Sequence, residues 1–247
     1  MKISIITTSY NSQETIFETL KSVNSQSYNN IEHIIVDGES SDRTLEIVDR
    51  FDHVAQIISE RDSGVYEAMN KGIRASSGDI IGFLNSDDYF FSNDIMKEYA
   101  DGFRSLSNKI IFGDLQFVSR DNKRRIRSWV SSEFSNQKIN FGWIPPHPTF
   151  YARKELFDNY GGFDESLRFA ADYDLMIRFL KVFPENNLYL KGYKVNMRYG
   201  GETTKNLLNI YLGNKEIISS LRKNGFKVSP FFLIKKFIYK ISQFFTK

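Results

Sequence analysis

The chain has 247 residues, 41% hydrophobic and 26% charged, which is ordinary for a soluble globular protein with one sizeable core. It contains no cysteine, which excludes a disulfide framework, a thiolate metal site and a cysteine nucleophile, and fits a reducing compartment. A formal net charge of +3 gives no support to a nucleic-acid partner, and neither a secretory leader nor a run of about 18 apolar residues is present.

The first half alternates two periodicities. "KISIITTSY" reads as a buried strand, and "SQETIFETLKSVNSQ" as a helix with Ile16, Leu20 and Val23 on one face and Asn11 or Ser12 as its cap. "IEHIIVDG" is a second strand. "SSDRTLEIVDRF" is a second helix, capped by Ser41, with Leu45, Val48 and Phe51 aligned. "VAQIISE" is a third strand, "GVYEAMNKGIRAS" a third helix and "GDIIGFLNSDD" a fourth strand. This order predicts an α/β fold with a mostly parallel sheet covered by helices.

The second half is less regular. "KIIFGDLQFV" reads as a strand, and "RDNKRRIRSWV" as a basic turn leading into another. "FGWIPPHPTFYARKELF" holds three of the five prolines and reads as a surface loop followed by a strand and a short helix. "FAADYDLMIRFLKVF" is an amphipathic helix with Leu175, Phe179 and Val182 aligned.

In a parallel sheet, ligands bind beyond the carboxyl ends of the strands. The four segments found there are "TTSYN", "DGESSD", "ERDSG" and "NSDD", all small, polar or acidic. Asp87 and Asp88 end the fourth strand. Adjacent carboxylates repel unless a cation or donors compensate them, and Mg²⁺ or Mn²⁺ carrying a diphosphate does this well. Asp37 is either a cap for the next helix or an acceptor for a base N–H or ribose hydroxyl, and Gly38 after it permits close backbone approach. Asp62 reads equally as a turn residue, and Lys71, next to Asn70, as a solvated helix charge. Asp172 and Asp174 straddle the start of a helix, where carboxylates favour the dipole or deliver a general base to the rim. His147 is structural, or a contact to phosphate, metal or acceptor.

These residues together resemble family 2 glycosyltransferases, inverting enzymes with the nucleotide-diphospho-sugar-binding GT-A fold. The resemblance rests on "SIITTSYN", "VDGESSDRT", "ERDSGVYEAMNKGIRASSGDIIGFLNSDD" and "HPTFYARKELFDNYGGFDESLRFAADYDLMIR", in that order, and runs from Lys2 to Thr204. It implies that Thr8 and Tyr10 line the nucleotide pocket, that Asp37 binds base or ribose, and that Asp62 and Asn70 shape the donor site. Asn85-Ser86-Asp87 occupies the DxD motif, with Asp87 as ligand to Mn²⁺ or Mg²⁺ and Asn85 replacing the first Asp. Asp172 matches the catalytic base, while Ala171 stands where many members carry Glu. Asp88, His147 and Thr203 are candidate acceptor or diphosphate contacts, Thr203 lying in "YGGETT", which resembles a segment that closes over the diphosphate.

The implied donor is a nucleotide sugar, UDP-sugar by default. The implied acceptor is a glycan or lipid-linked glycan in bacterial surface-polysaccharide synthesis, of capsule or O-antigen type. Rival readings are a nucleotidyltransferase, which would favour a Gly-rich phosphate loop that "TTSYNSQ" lacks, and a non-catalytic sugar-nucleotide or glycan-binding module. The expected division is a transferase domain over residues 1–204 and an amphipathic helical tail over 205–247. No acidic residue follows Glu216, and "NGFKVSPFFLIKKFIYKISQFFTK" aligns Phe231, Ile234, Ile238 and Ile241, with Phe237 and Phe245 beside them and lysines between. That composition suits either the surface of an anionic membrane, at the cytoplasmic face, or docking on protein.

Overall fold

The computed structural model describes residues 1–122, 124–200 and 207–243. Strands β1 (Ile3–Ser9), β2 (Ile31–Asp37), β3 (Val54–Ser59) and β4 (Ile80–Phe83) alternate with helices α1 (Ile16–Asn24), α2 (Thr44–Val48) and α3 (Val65–Ala75), as expected. They pair in parallel in the order β3-β2-β1-β4. The chain therefore winds outward from β1 on one side and returns to its other side at β4. The loops leaving β1 and β4 part at this reversal, and the crevice between them is where an open α/β sheet takes its ligand.

Beyond β4 come β5 (Tyr89–Phe90), α4 (Ile95–Phe103), β6 (Ile110–Val118), β7 (Arg125–Trp129), α5 (Asn136–Ile139), β8 (Tyr151–Arg153), α6 (Lys154–Tyr160), α7 (Ala171–Val182), β9 (Asn187–Arg198), α8 (Leu207–Lys223) and α9 (Phe232–Ser242). Antiparallel β8 joins β4 to β6, which continues the sheet through β9 to β5. The long β9 escapes a period-2 reading because Gly192, at φ +103°, interrupts it where its register against β6 shifts.

Other expectations change. The proline-rich segment does not cross the surface. Trp143, Ile144, His147, Pro148 and Thr149 are buried, and Thr149 exchanges hydrogen bonds with the Gly113 backbone at 3.1–3.2 Å. Proline brings no N–H that burial would strand, so an irregular segment rich in it is inexpensive to enclose. Asn11, Ser12 and Ser41 do not cap the first two helices, whose caps are Thr15 and Arg43. Val182 points outward.

One face of the sheet packs on α3 and α7 through Ile6, Val36, Met69, Phe83, Phe163, Met176 and Phe179. The other packs on α4 through Ile5, Met96, Tyr99 and Tyr151. Ile217 and Leu221 of α8 and Phe232 of α9 belong to the first of these cores, so the C-terminal helices are bonded to the sheet domain by shared apolar burial. The boundary expected near Thr203 falls outside the described residues. No helix among the described residues is long and apolar enough to cross a membrane.

Gly82 shows how closely this sheet is filled, because a β-carbon there would land on the fully buried ring of Tyr151. Gly82→Ala is expected to lower unfolding stability by about 1–3 kcal/mol, measured by urea titration.

Candidate active site

Asp37 closes β2 with no exposure to solvent. Its carboxylate accepts the Ser9 hydroxyl at 2.9 Å, the Ser40 N–H at 2.8 Å, the Ser40 hydroxyl at 2.6 Å and the Ser59 hydroxyl at 3.1 Å. Ser9 ends β1 and Ser59 ends β3, so one carboxylate fastens three neighbouring strand ends. A ligand that approaches Asp37 meets a carboxylate already oriented by these donors.

Around this anchor the rim loops are knitted together. Asn11, at φ +47°, receives the Ser41 N–H on its side-chain oxygen at 2.9 Å. The Ser12 N–H donates to Thr44 Oγ1 at 2.7 Å, and the Ser12 and Ser86 hydroxyls meet at 2.8 Å. Ser86 thus bridges the loops after β1 and β4. Thr8 sits near the end of β1, 9% exposed. Tyr10 is 67% exposed, with its ring edge against Gly38. A side chain at Gly38 would also meet Asp62 Oδ2 at 2.8 Å, so the missing β-carbon lets Tyr10 and Asp62 converge. Asp62 gives Oδ1 to the Gly64 N–H at 3.0 Å. Its carboxyl is pushed up mainly by burial, with Glu67 and Asp37 adding to the rise. An exposed aromatic ring beside a carboxylate oxygen suits a heterocyclic base.

The Asn70 amide donates to the Phe163 carbonyl at 2.9 Å and to Glu165 at 2.7 Å, and its oxygen accepts the Phe163 N–H at 2.8 Å. It thereby clamps the loop before α7.

Asn85, half-buried, begins the turn after β4, and its carbonyl accepts the Asp88 N–H at 3.0 Å. Burial raises the Asp87 carboxyl, against the pull of Arg198. Asp88 has no exposure, and neither carboxyl oxygen has a hydrogen-bond partner of normal geometry among the described residues. Burial and then the neighbouring Asp87 push the Asp88 carboxyl well above the usual range, offset only in part by the Arg198 backbone and the Asn85 side chain. Arg198, at the end of β9, donates to the Asp87 carbonyl at 2.5 Å, pairs with Glu18 and covers the Tyr89 ring.

The base candidate is Asp172. Half-buried in the first turn of α7, it accepts the Tyr66 hydroxyl at 3.2 Å and the Tyr173 N–H at 2.8 Å, both on Oδ1. No described donor holds Oδ2. Tyr66 stacks on Phe163. His147 stacks on Phe83, the last residue of β4, and meets Phe163 edge-on. Burial lowers its pKa, against the attraction of Asp172, and its Nε2 has no partner among the described residues. Lys236 of α9 donates to Asn214 Oδ1 at 2.8 Å. Its ammonium is pushed down to about 8 by burial and by Lys240, with Asp172 acting the other way. Thr203 lies outside the described residues.

Tyr66, Arg198 and Lys236 were absent from the candidates read in the sequence. Tyr66 sits inside "ERDSGVYEAMNKG", where the motif itself was the available signal. Arg198 and Lys236 carry no local signal.

A model of the family described as glycosyl transferase family 2 matches residues 4–169. The chain belongs to that family. It is 34% identical over 182 residues to an uncharacterised glycosyltransferase of Mycobacterium tuberculosis, covering 71% of this chain and 68% of the other. Among solved structures it resembles TarS of S. aureus in complex with UDP-GlcNAc, with TM-score 0.72 and 21% identity over 95% of this chain and 69% of that one. It also resembles a mannosyltransferase of Pyrobaculum calidifontis in complex with GDP-Man and Mn²⁺, with TM-score 0.64 and 16% identity over 98% and 70%. The fold is that of the GT-A enzymes, and this family 2 glycosyltransferase is a transferase, not a passive binding module.

The buried Asp88 carboxyl gives a pH signature. Its folded-state pKa lies above the ordinary value of about 4. The associated stability is therefore complete below about pH 4 and declines as pH rises toward the folded value. Asp88→Asn, neutral throughout, is expected to melt at a higher temperature than wild type at pH 7, the gap closing toward pH 4 in paired thermal scans without metal.

Proposed function

We propose that this glycosyltransferase is a metal-dependent inverting enzyme. It moves a sugar from a nucleotide-diphospho-sugar, a UDP-sugar first, to a hydroxyl of a glycan or lipid-linked glycan in surface-polysaccharide assembly. The observation that carries this reading is Asp172. One of its oxygens is fixed by Tyr66 and the Tyr173 N–H, and the other is left for an incoming hydroxyl. A carboxylate oriented by two donors on one oxygen removes a proton along one direction. The deprotonated hydroxyl attacks the anomeric carbon opposite the leaving diphosphate, so an α-linked donor gives a β-linked product. TarS with UDP-GlcNAc supports a nucleotide-sugar donor, and the ring of Tyr10 beside Asp62 supports a base slot.

The residues after β4 fit a divalent cation. Asp87 is a desolvated carboxyl beside a second, orphaned one, so a cation relieves both. Among the described residues no three acidic or histidine side chains converge, so the protein builds no closed cage. One carboxylate, with diphosphate oxygens and water completing the shell, is the usual manner of Mg²⁺ and serves Mn²⁺. Asp87 would hold the ion, which supplies Lewis-acid neutralisation of the charge on the departing diphosphate.

The test is nucleoside diphosphate release from a panel of UDP-, dTDP- and GDP-sugars with Mn²⁺ or Mg²⁺, repeated with EDTA. The expected result is turnover of one donor that EDTA abolishes. Asp87→Ala should reduce it at least ~100-fold, equivalent to roughly 3 kcal/mol of transition-state stabilisation. Asp172→Asn should reduce transfer by about 10²–10⁴-fold while UDP binding persists. Pyrophosphate release, or equal rates with EDTA, would overturn the reading.

The second part of the proposal concerns place. Leu208 and Tyr211 on α8 and Phe231, Ile234, Phe237 and Ile238 on α9 are exposed, each more than half. Lys235 and Lys240 lie along the same helix, and no acidic residue follows Glu216. An apolar face edged with cations suits the anionic inner surface of the plasma membrane. The protein should cosediment with phosphatidylglycerol vesicles and not with phosphatidylcholine vesicles, and Phe237→Ser with Ile238→Ser should release it. Equal recovery in the supernatant from both vesicles would exclude this placement.

A further inference from the structure

The helix that carries Asp172 has no cap of its own. Its N-cap residue is Ala170, whose side chain has nothing to offer the open backbone donors of the first turn. The backbone just ahead of that turn is held from elsewhere in the chain. Glu216, halfway along α8, receives the Arg168 N–H on Oε1 at 3.1 Å, and the Phe169 and Ala170 N–H groups on Oε2 at 2.8 and 3.0 Å. Three successive amides immediately before α7 therefore converge on one carboxylate from a helix more than forty positions later in the chain.

We propose that Glu216 is the positioning residue for Asp172, a cap supplied from α8 that fixes the azimuth and height of the base at the crevice. The inference rests on reading Asp172 as the base. Its geometry has several supports. Ile217 and Leu221 anchor the inner side of α8 in the core that contains Ala171 and Tyr173. Asn224, just past α8, donates to Asp174 Oδ1 at 3.1 Å, and Lys223 pairs with Asp164 at 2.8 Å. The helix and the loop before it are thus gripped at Asp164, at residues 168–170 and at Asp174. Of these grips, only Glu216 acts on the backbone that leads directly into Asp172. Its charge also suits the place, since an anion is favoured at a helix N-terminus.

Loss of the carboxylate frees three amides and lets the segment before Asp172 drift. A displacement on the order of 1 Å at a reacting group lowers turnover by about 100-fold. A role in folding alone would lower stability and leave the turnover of the folded fraction unchanged. The experiment compares wild type, Glu216→Ala, Glu216→Gln, Ile217→Val and Asp172→Asn. Its readouts are thermal melting, UDP affinity by calorimetry, amide hydrogen exchange over residues 168–173, and kcat and KM for the donor that the panel identifies.

For Glu216→Ala we expect kcat about 10–100-fold lower, unchanged UDP affinity and donor KM, and lost exchange protection at 168–170. Glu216→Gln keeps a carbonyl oxygen that can accept two of the amides, and should recover much of kcat. Ile217→Val loosens the same helix without touching the cap, and should melt earlier with kcat unchanged. The inference is overturned if Glu216→Ala keeps wild-type kcat while Asp172→Asn is inactive, or if Ile217→Val loses as much kcat as Glu216→Ala. Full activity in Asp172→Asn would instead overturn the assignment of the base. If no donor in the panel turns over, unchanged exchange at 168–173 in Glu216→Ala by itself overturns the positioning role.

Discussion

A carboxylate shut away from water must find its hydrogen bonds within the protein, and Asp37 finds four, from the ends of the two strands beside its own and from the loop after it. That requirement orders the rim. Ser9, Ser40 and Ser59 are drawn toward one point, the following loops leave in set directions, and Gly38 is left where Tyr10 and Asp62 come together. Ser9 of "TTSYNS" and Ser40 of "DGESSD" are thus parts of one network with Ser59. Their hydroxyls suit it because each can rotate to donate inward. The donor pocket depends on this network even where no ligand touches it.

The opposite condition holds at the end of β4. There the protein places two adjacent carboxyls and leaves the deeper one without a hydrogen bond of normal geometry among the described residues. Arg198 approaches through the Asp87 carbonyl and is itself paired with Glu18, so it neutralises the pair only in part. Asp37 is satisfied within the fold, whereas Asp87 and Asp88 are only partly compensated. This contrast separates a carboxylate that builds the site from one suited to engage something that arrives.

Much of this was legible in the residue order because parallel β-α-β units write their period plainly and put their polar ends on one edge. Tyr10, Ser86, Asp87 and Asp172 all lie in motifs visible in the sequence. Asp37 and Asn70 were visible too, but their surroundings were not. A side chain's type does not say whether its donors will be a ligand's or a neighbouring loop's. The second half was harder for physical reasons. Gly192 and a shifted register break the alternation of β9, and β5 has only two residues. The enclosed prolines reversed the usual link between irregular chain and surface. Tyr66, Arg198 and Glu216 act across 106, 111 and 46–48 positions of sequence, and such separations leave no periodic trace.

Asp37 and Asp172 are held by different parts of the chain. The Asp37 network is closed by serines of β1, β3 and the loop after β2, whereas the backbone leading into Asp172 hangs on one carboxylate of α8. Substitutions along α8 would therefore reach the second without disturbing the first.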